Sequence, residues 1–286
     1  MEESSMTRNV LLNIGKIILT SIVFAFGLVA SRMVLESFGI SAPRLPAQAD
    51  ESTAAWYLPV GSLLVSAGFY PLVRTTAAGV WERFAYLFFF IFTGFAVGVT
   101  IESSIYSSVA GYPLMIVVLF APVFLYTITA VLLTHRDRVQ RHRPFGIKNY
   151  FRNKTRAYWL WRMLLAILAF PVVYFLFGLI VSPIVTPYYQ TLVDGFRLPE
   201  PGIIIAVQFF RSTIFLLVTL PVLIYWAGSK GQLIAALGFA HFVMVFGYDI
   251  VLAIQMPAEI AGIHGMKILL DSFVYAWVFV GLLWNR

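Results

Sequence analysis

Six polar residues in the C-terminal third of this chain stand inside otherwise apolar runs: Gln208, Arg211, Asp249, Lys267, Asp271 and Tyr275. Their types fit the capture of a small charged group. An arginine keeps its proton in a protein and presents a planar fork of donors matched to a carboxylate or a phosphate. Asp249 and Asp271 would set the charge balance around it, and Gln208, Lys267 and Tyr275 would add further polar contacts. The spacing brings these groups onto helix faces. Gln208, Arg211 and Ser212 are three and four residues apart, which is one face of a helix. His264, Asp271 and Tyr275, separated by seven and four, form one stripe, with Lys267 four residues before Asp271 at its border. His241 and Tyr248 share a face, and Asp249 lies about 80° round from it at 100° per residue. The competing structural reading is an ion-pair network that fixes three helices against one another. In that reading Lys267, near a helix end, simply reaches toward the interface.

The elements that must carry these residues are membrane helices. Of the 286 residues, 60% are hydrophobic and only 12% charged. Mean hydropathy is +0.86, and soluble domains usually carry about 25% charged residues. An ordinary soluble enzyme, a disordered chain and a disulfide scaffold are thereby excluded. A helix crossing the hydrocarbon core needs about 20 mostly apolar residues. Eight runs qualify, at about 12–35, 56–73, 84–101, 112–133, 158–181, 203–226, 232–253 and 266–284. They are continuous, without the period-two alternation of a membrane barrel. The expected fold is thus an all-α polytopic transmembrane bundle of about eight spans, with 1–286 as a single integral membrane domain. The start, Met1-Glu2-Glu3, has no basic leader, so the first span reads as a retained helix. There is no cysteine, which excludes thiolate metal sites and thiol catalysis. Four scattered histidines show no metal-ligand spacing, so no metal and no cofactor is expected.

Charge sets the orientation. Between His135 and Arg156 there are eight basic residues against the single acid Asp137, a net +7 that equals the formal charge of the whole chain. Arg8, Arg74, Arg83, Lys230 and Arg286 fall on the same side as this segment, while the other side has Arg44 and Arg197 but also Glu36, Asp50, Glu51, Glu102, Asp194, Glu200 and Glu259. The positive-inside rule then puts both termini in the cytoplasm of a plasma (inner) membrane. The 135–156 segment reads as a cytoplasmic loop that sets topology. Its interleaved aromatics also fit contact with anionic lipid, because each cation near an anionic leaflet contributes about 1 kcal/mol. It has no room for a nucleic-acid-binding fold. On the other side, Arg211 falls roughly 12 Å, Asp249 roughly 6 Å and Asp271 roughly 7–8 Å from the outer boundary, from the rise per residue. The polar group is therefore expected in the outer leaflet.

Two halves, 1–134 and 157–286, show traces of a parallel four-plus-four repeat. Phe26-Gly27-Leu28-Val29-Ala30-Ser31 resembles Phe177-Gly178-Leu179-Ile180-Val181-Ser182, Arg44-Leu45-Pro46 matches Arg197-Leu198-Pro199, and Pro71 matches Pro221. The three offsets are 151, 153 and 150 residues, and repeats that start on one side are related by an axis along the membrane normal.

No metalloprotease, nucleotide-binding or serine-hydrolase motif occurs. Asp50 and Glu51 in the first outer loop are similar in position to the acidic base of membrane glycosyltransferases that use lipid-linked sugars. That likeness implies a transferase or hydrolase acting on a lipid-linked substrate, with Asp50, Glu51 or Asp271 as general base. A non-catalytic assembly partner of another membrane protein is a third class. The leading expectation is binding or transport of a small solute or lipid through the polar pocket, with Arg211 anchoring an anionic group.

Overall fold

The computed structural model describes residues 2–40, 51–106, 114–135, 146–192, 199–253 and 258–285. Among these the chain is all-helical, and its β pairing is a single isolated bridge between Thr76 and Trp226. In chain order the helices are α1 (Glu2–Ser37), α2 (Glu51–Thr75), α3 (Val80–Phe92), a π turn (Thr93–Val97), α4 (Gly98–Tyr106), α5 (Met115–Leu133), α6 (Ile147–Arg152), α7 (Arg156–Leu192), α8 (Pro201–Ile224), α9 (Lys230–Ala253) and α10 (Ala258–Leu283).

Six segments are long and apolar enough to cross a membrane: Thr7–Ser37, Val80–Val97, Met115–Leu133, Arg156–Pro187, Pro201–Ile224 and Glu259–Leu283. The helices that carry the other two expected spans, α2 and α9, both form and pack against each other; within the described residues α9 has the shorter apolar stretch Lys230–Phe246. Of the six long segments, α7 is the least covered by its neighbours. Only 17% of the most apolar stretch of α7 is buried, and Leu160, Leu164, Leu168, Val172 and Leu176 form an exposed i, i+4 row suited to lipid contact.

The helices follow one packing scheme twice. α1 lies on α2 and α5, and α7 lies on α8 and α10. The α3–α4 segment lies on α5, and α9 lies on α10. Across the centre, α2 meets α9 and α3 meets α8. The turns joining α2 to α3 and α8 to α9 meet at one end of the bundle through two reciprocal backbone bonds. The Ala77 N–H donates to Tyr225 O at 2.8 Å, and the Ala227 N–H donates to Thr75 O at 3.0 Å. Donors and acceptors in these bonds are related by a constant shift of 150 positions.

Side chains close the helix ends around this seam. Arg83, 1% exposed, donates to Val131 O and to Thr134 Oγ1, the latter at 2.9 Å, covering carbonyls that the end of α5 leaves without helical partners. Part of the expected 135–156 loop is ordered differently: 147–152 is the short helix α6, and α7 begins at Arg156. The reason is docking. Tyr150 is buried and donates its hydroxyl to Leu283 O, Arg162 donates to Leu282 O, and Asn285 Nδ2 returns a bond to Tyr150 O at 3.0 Å. The last carbonyls of α10 are thus capped by this segment. Residues 136–145, with the remaining arginines of the loop, lie outside the described residues.

Tyr225, in the central turn, stacks on Tyr86 at 5.3 Å and donates its hydroxyl to Glu82. Burial first, then the hydrogen bond and negative charge of Glu82, push that hydroxyl up to about 12 from 10.0. Its folded value lies above the unfolded one, so the associated stability is complete below pH 10.0 and is lost as pH rises toward about 12. In detergent, the melting temperature of Tyr225→Phe is therefore expected to fall less steeply than wild type over that interval. Equal slopes would remove Tyr225 from the pH response.

Candidate functional site

A cavity of about 110 Å³ lies among α7, α8, α9 and α10. α8 contributes Arg211 and Phe215, α9 contributes His241, Met244 and Val245, and α7 contributes Phe170, Val173 and Tyr174. α10 contributes His264, Lys267, Ile268, Asp271, Ser272 and Tyr275, a run of three- and four-residue spacings along one helix face. Space of this size admits a few waters or a small organic ion.

The structure brings together four of the six residues singled out in the sequence: Arg211, Lys267, Asp271 and Tyr275. Gln208 is one turn away on α8; it is buried but is not part of the cavity wall. The side chain of Asp249 lies outside the described residues, as does that of Tyr248. Of the alternative bases in the first outer loop, Asp50 lies outside the described residues, and Glu51 begins α2 with its side chain undescribed.

Two features differ from the expectation. α10 starts at Ala258, and its span at Glu259, rather than near 266. Asp271 is therefore roughly 20 Å along its helix and Arg211 roughly 15 Å along α8, by the rise per residue. Both stand near the middle of their helices. The site extends from there, through Lys267 and His264, toward the end opposite the 146–156 segment. Secondly, Asp271 engages Lys267 of its own helix: Lys267 Nζ lies 2.6 Å from Asp271 Oδ2, with the two side chains 11% and 16% exposed.

Local packing explains how cations are held here. Arg211 is 5% exposed, and its guanidinium carbon lies 5.6 Å from the Phe170 ring centroid and 5.8 Å from that of Phe215. Aromatic faces attract cations by about 0.5–2 kcal/mol, more when desolvated. Lys267 Nζ similarly sits 4.6 Å from the Tyr174 ring centroid, tying α10 to α7. The floor is also aromatic. His241, 6% exposed, lies 5.3 Å from Tyr275, 6.0 Å from Phe215 and 6.1 Å from Phe90, ring to ring. Ser212, beside Arg211, donates to Ile167 O at 2.7 Å and pins α8 to α7.

Polar capacity remains around the cavity. Among the described residues, neither ring nitrogen of His241 has a hydrogen-bond partner, and neither has Asp271 Oδ1 or Gln208 Oε1. Buried polar groups are normally paired, so the first three are free to serve a guest. On this wall Arg211 and Lys267 stand beside one carboxylate, Asp271, and the imidazoles of His241 and His264. Such a wall can hold one anion through the guanidinium, with His241 offering a ring nitrogen. No three His, Asp or Glu side chains gather as a metal site among the described residues.

Sequence spacing alone did not single out Ser272 or the aromatic wall of Phe170, Tyr174 and Phe215. His241 was legible as an ionisable residue in a span. The aromatic residues carry no distinguishing signal in a chain with 26 phenylalanines and 14 tyrosines. No protein-family model matches this chain, and no curated protein or solved structure matches it either.

The Lys267–Asp271 pair should be strongly coupled. Removing either partner strands a charge in a largely buried place. Asp271→Leu and Lys267→Met are each expected to lower the melting temperature in detergent, and the double variant to recover most of the loss. Coupling on the order of 1–3 kcal/mol is typical of contacting charges. Additive losses in the double-mutant cycle would show that the two side chains act independently.

Proposed function

We propose that this protein is a multi-pass membrane protein, with eight spans in two parallel halves, that binds a small anionic solute or lipid headgroup in the α7–α10 cavity. Its action is binding or passage rather than covalent chemistry. The observation that carries this reading is a buried, partly unsatisfied polar wall: Arg211 and Lys267 line one cavity with Asp271, and neither His241 nitrogen has a hydrogen-bond partner among the described residues. Ionisable side chains in a bilayer are costly, and in general they face functional cavities. The engagement of Asp271 by Lys267 favours a binding role for that carboxylate over one as a general base.

The reciprocal turns and the repeated packing scheme support the two-half reading. Orientation rests on charge. Lys148, Arg152, Lys154 and Arg156 are exposed at the end where the interhelical turns meet, which supports that end as cytoplasmic and in contact with anionic lipid. The cavity then lies between mid-membrane and the outer face of the plasma membrane.

Purified protein in a neutral detergent should melt at a higher temperature with acetate, benzoate or inorganic phosphate than with chloride at equal ionic strength. A ligand at about a hundred times its Kd adds roughly 2.7 kcal/mol. Arg211→Gln is expected to fold and to lose that increment. If all three anions leave the wild-type melting temperature unchanged, or if Arg211→Gln responds equally, the binding reading fails.

A further inference from the structure

Met244 stands in the cavity wall, and its side chain lies against a glycine outside the cavity. α3 does not run straight into α4. Between them lies the π turn Thr93–Val97, where the Gly98 N–H reaches back five residues to Thr93 O. Such a turn contains one more residue than an α turn and is frequent at functional sites. Gly94 is the second residue of this turn and lies directly against Met244. A Cβ built on Gly94 would fall 2.2 Å from Met244 Sδ, 2.7 Å from Cε and 3.1 Å from Cγ. No real side chain can share that space, so Met244 occupies its present position because residue 94 has none.

The opposite side of Met244 faces the cavity beside His241 and Val245. Its remaining neighbours are close-packed core: Met244 is 1% exposed and belongs to the same buried cluster as Phe95, Leu237, Ala240 and Val243. The thioether is unbranched and readily re-packs. When pushed from the Gly94 side, the free volume available to it is the cavity itself.

We propose that Gly94 and Met244 form a size filter for the cavity: the missing side chain at 94 holds the thioether back from the binding space, and the reach of Met244 limits how large an anion can sit against Arg211. This inference rests on the cavity being the binding site, and it assigns to the π turn in the first half of the chain a role in the specificity of a site built by the second half. Gly94 is a positioning residue, since it acts through Met244.

The absence of cysteine allows a test that does not depend on knowing the ligand. Ser272→Cys places one thiol in the cavity wall, where it can be alkylthiolated by methyl methanethiosulfonate and, more slowly, by the bulkier benzyl reagent. In that background Gly94→Ala is expected to slow methyl labelling about tenfold, and Gly94→Ala with Met244→Ala to restore it. Met244→Ala alone should speed benzyl labelling several-fold, which keeps the test decisive if Gly94→Ala does not fold. Unchanged methyl labelling in Gly94→Ala, failure of the double variant to recover, or unchanged benzyl labelling in Met244→Ala would overturn the filter. The acetate, benzoate and phosphate melting shifts are measured on the same preparations. Anion shifts without any labelling effect would reject the filter and leave the binding reading standing. Labelling effects without anion shifts would overturn the binding reading and, with it, the filter for anions.

Discussion

A guanidinium in the interior of an apolar helix bundle imposes its terms on everything around it. Arg211 cannot discard its charge, and at 5% exposure it has little water to lean on. Moving such an ion from water into a low-dielectric interior costs several kcal/mol even after relaxation. The surroundings offset this with aromatic faces from α7 and α8 and with polar side chains from α9 and α10. Those requirements fix the relative positions of four helices. α7 must come close enough for Phe170 to cover one side, which Ser212 secures by bonding to Ile167 O at 2.7 Å. α10 must present its polar stripe inward, which the Lys267–Asp271 and Lys267–Tyr174 contacts secure. The cavity is the volume left where these four constraints meet.

Much of this arrangement could be read from the sequence because charge inside an apolar run is rare. Lys267, Asp271 and Tyr275 fall on one stripe by spacing alone, and Arg211 is conspicuous in a helix of otherwise apolar and small residues. Periodicity assigns a face to a residue; it does not assign a partner. Spacing offers both Asp249 and Asp271 to Arg211, whereas Asp271 pairs with Lys267, one turn earlier on the same helix. Hydropathy also underestimates helix length where Glu, His and Gly interrupt the apolar run, as in Ala258–Gly265. Phe170 and Met244 carry no signal at all, since their roles come from what packs behind them.

The proposed halves share a packing scheme, and the cavity lined by Arg211 and Asp271 belongs to the second. α5 and α10 illustrate the difference. Their buried positions coincide in register: Leu119 with Ile268, Val123 with Ser272, Tyr126 with Tyr275, Thr127 with Ala276, Ala130 with Phe279, Val131 with Val280 and Thr134 with Leu283. In this register Val118 stands where Lys267 stands, and Pro122 where Asp271 stands. The first half therefore has a proline ring and a valine at the two places where the second half has its ion pair.

The consequence is steric as well as electrostatic. Gly27 of α1 lies so close to α5 that a Cβ there would be 2.6 Å from Pro122 Cα. Small residues permit such approaches between membrane helices, and here the approach closes the space between α1 and α5. Phe24 and Tyr126, 6.3 Å apart and edge to face, fill the adjoining interior, with the Tyr126 hydroxyl donating to Ser66 O at 3.3 Å. Tyr275, the counterpart of Tyr126, instead borders the cavity. A carboxylate and an ammonium at the α7–α10 contact cannot be compressed in the same way, because each must keep its partner and its remaining hydrogen-bonding capacity. Replacing a proline and a valine by a charged pair thus accounts for both the polarity of the second-half interior and the gap between its helices. At the corresponding positions of the first half, lacking that pair, α1 packs directly onto α5, and this half serves the open site from outside by holding Gly94 against Met244.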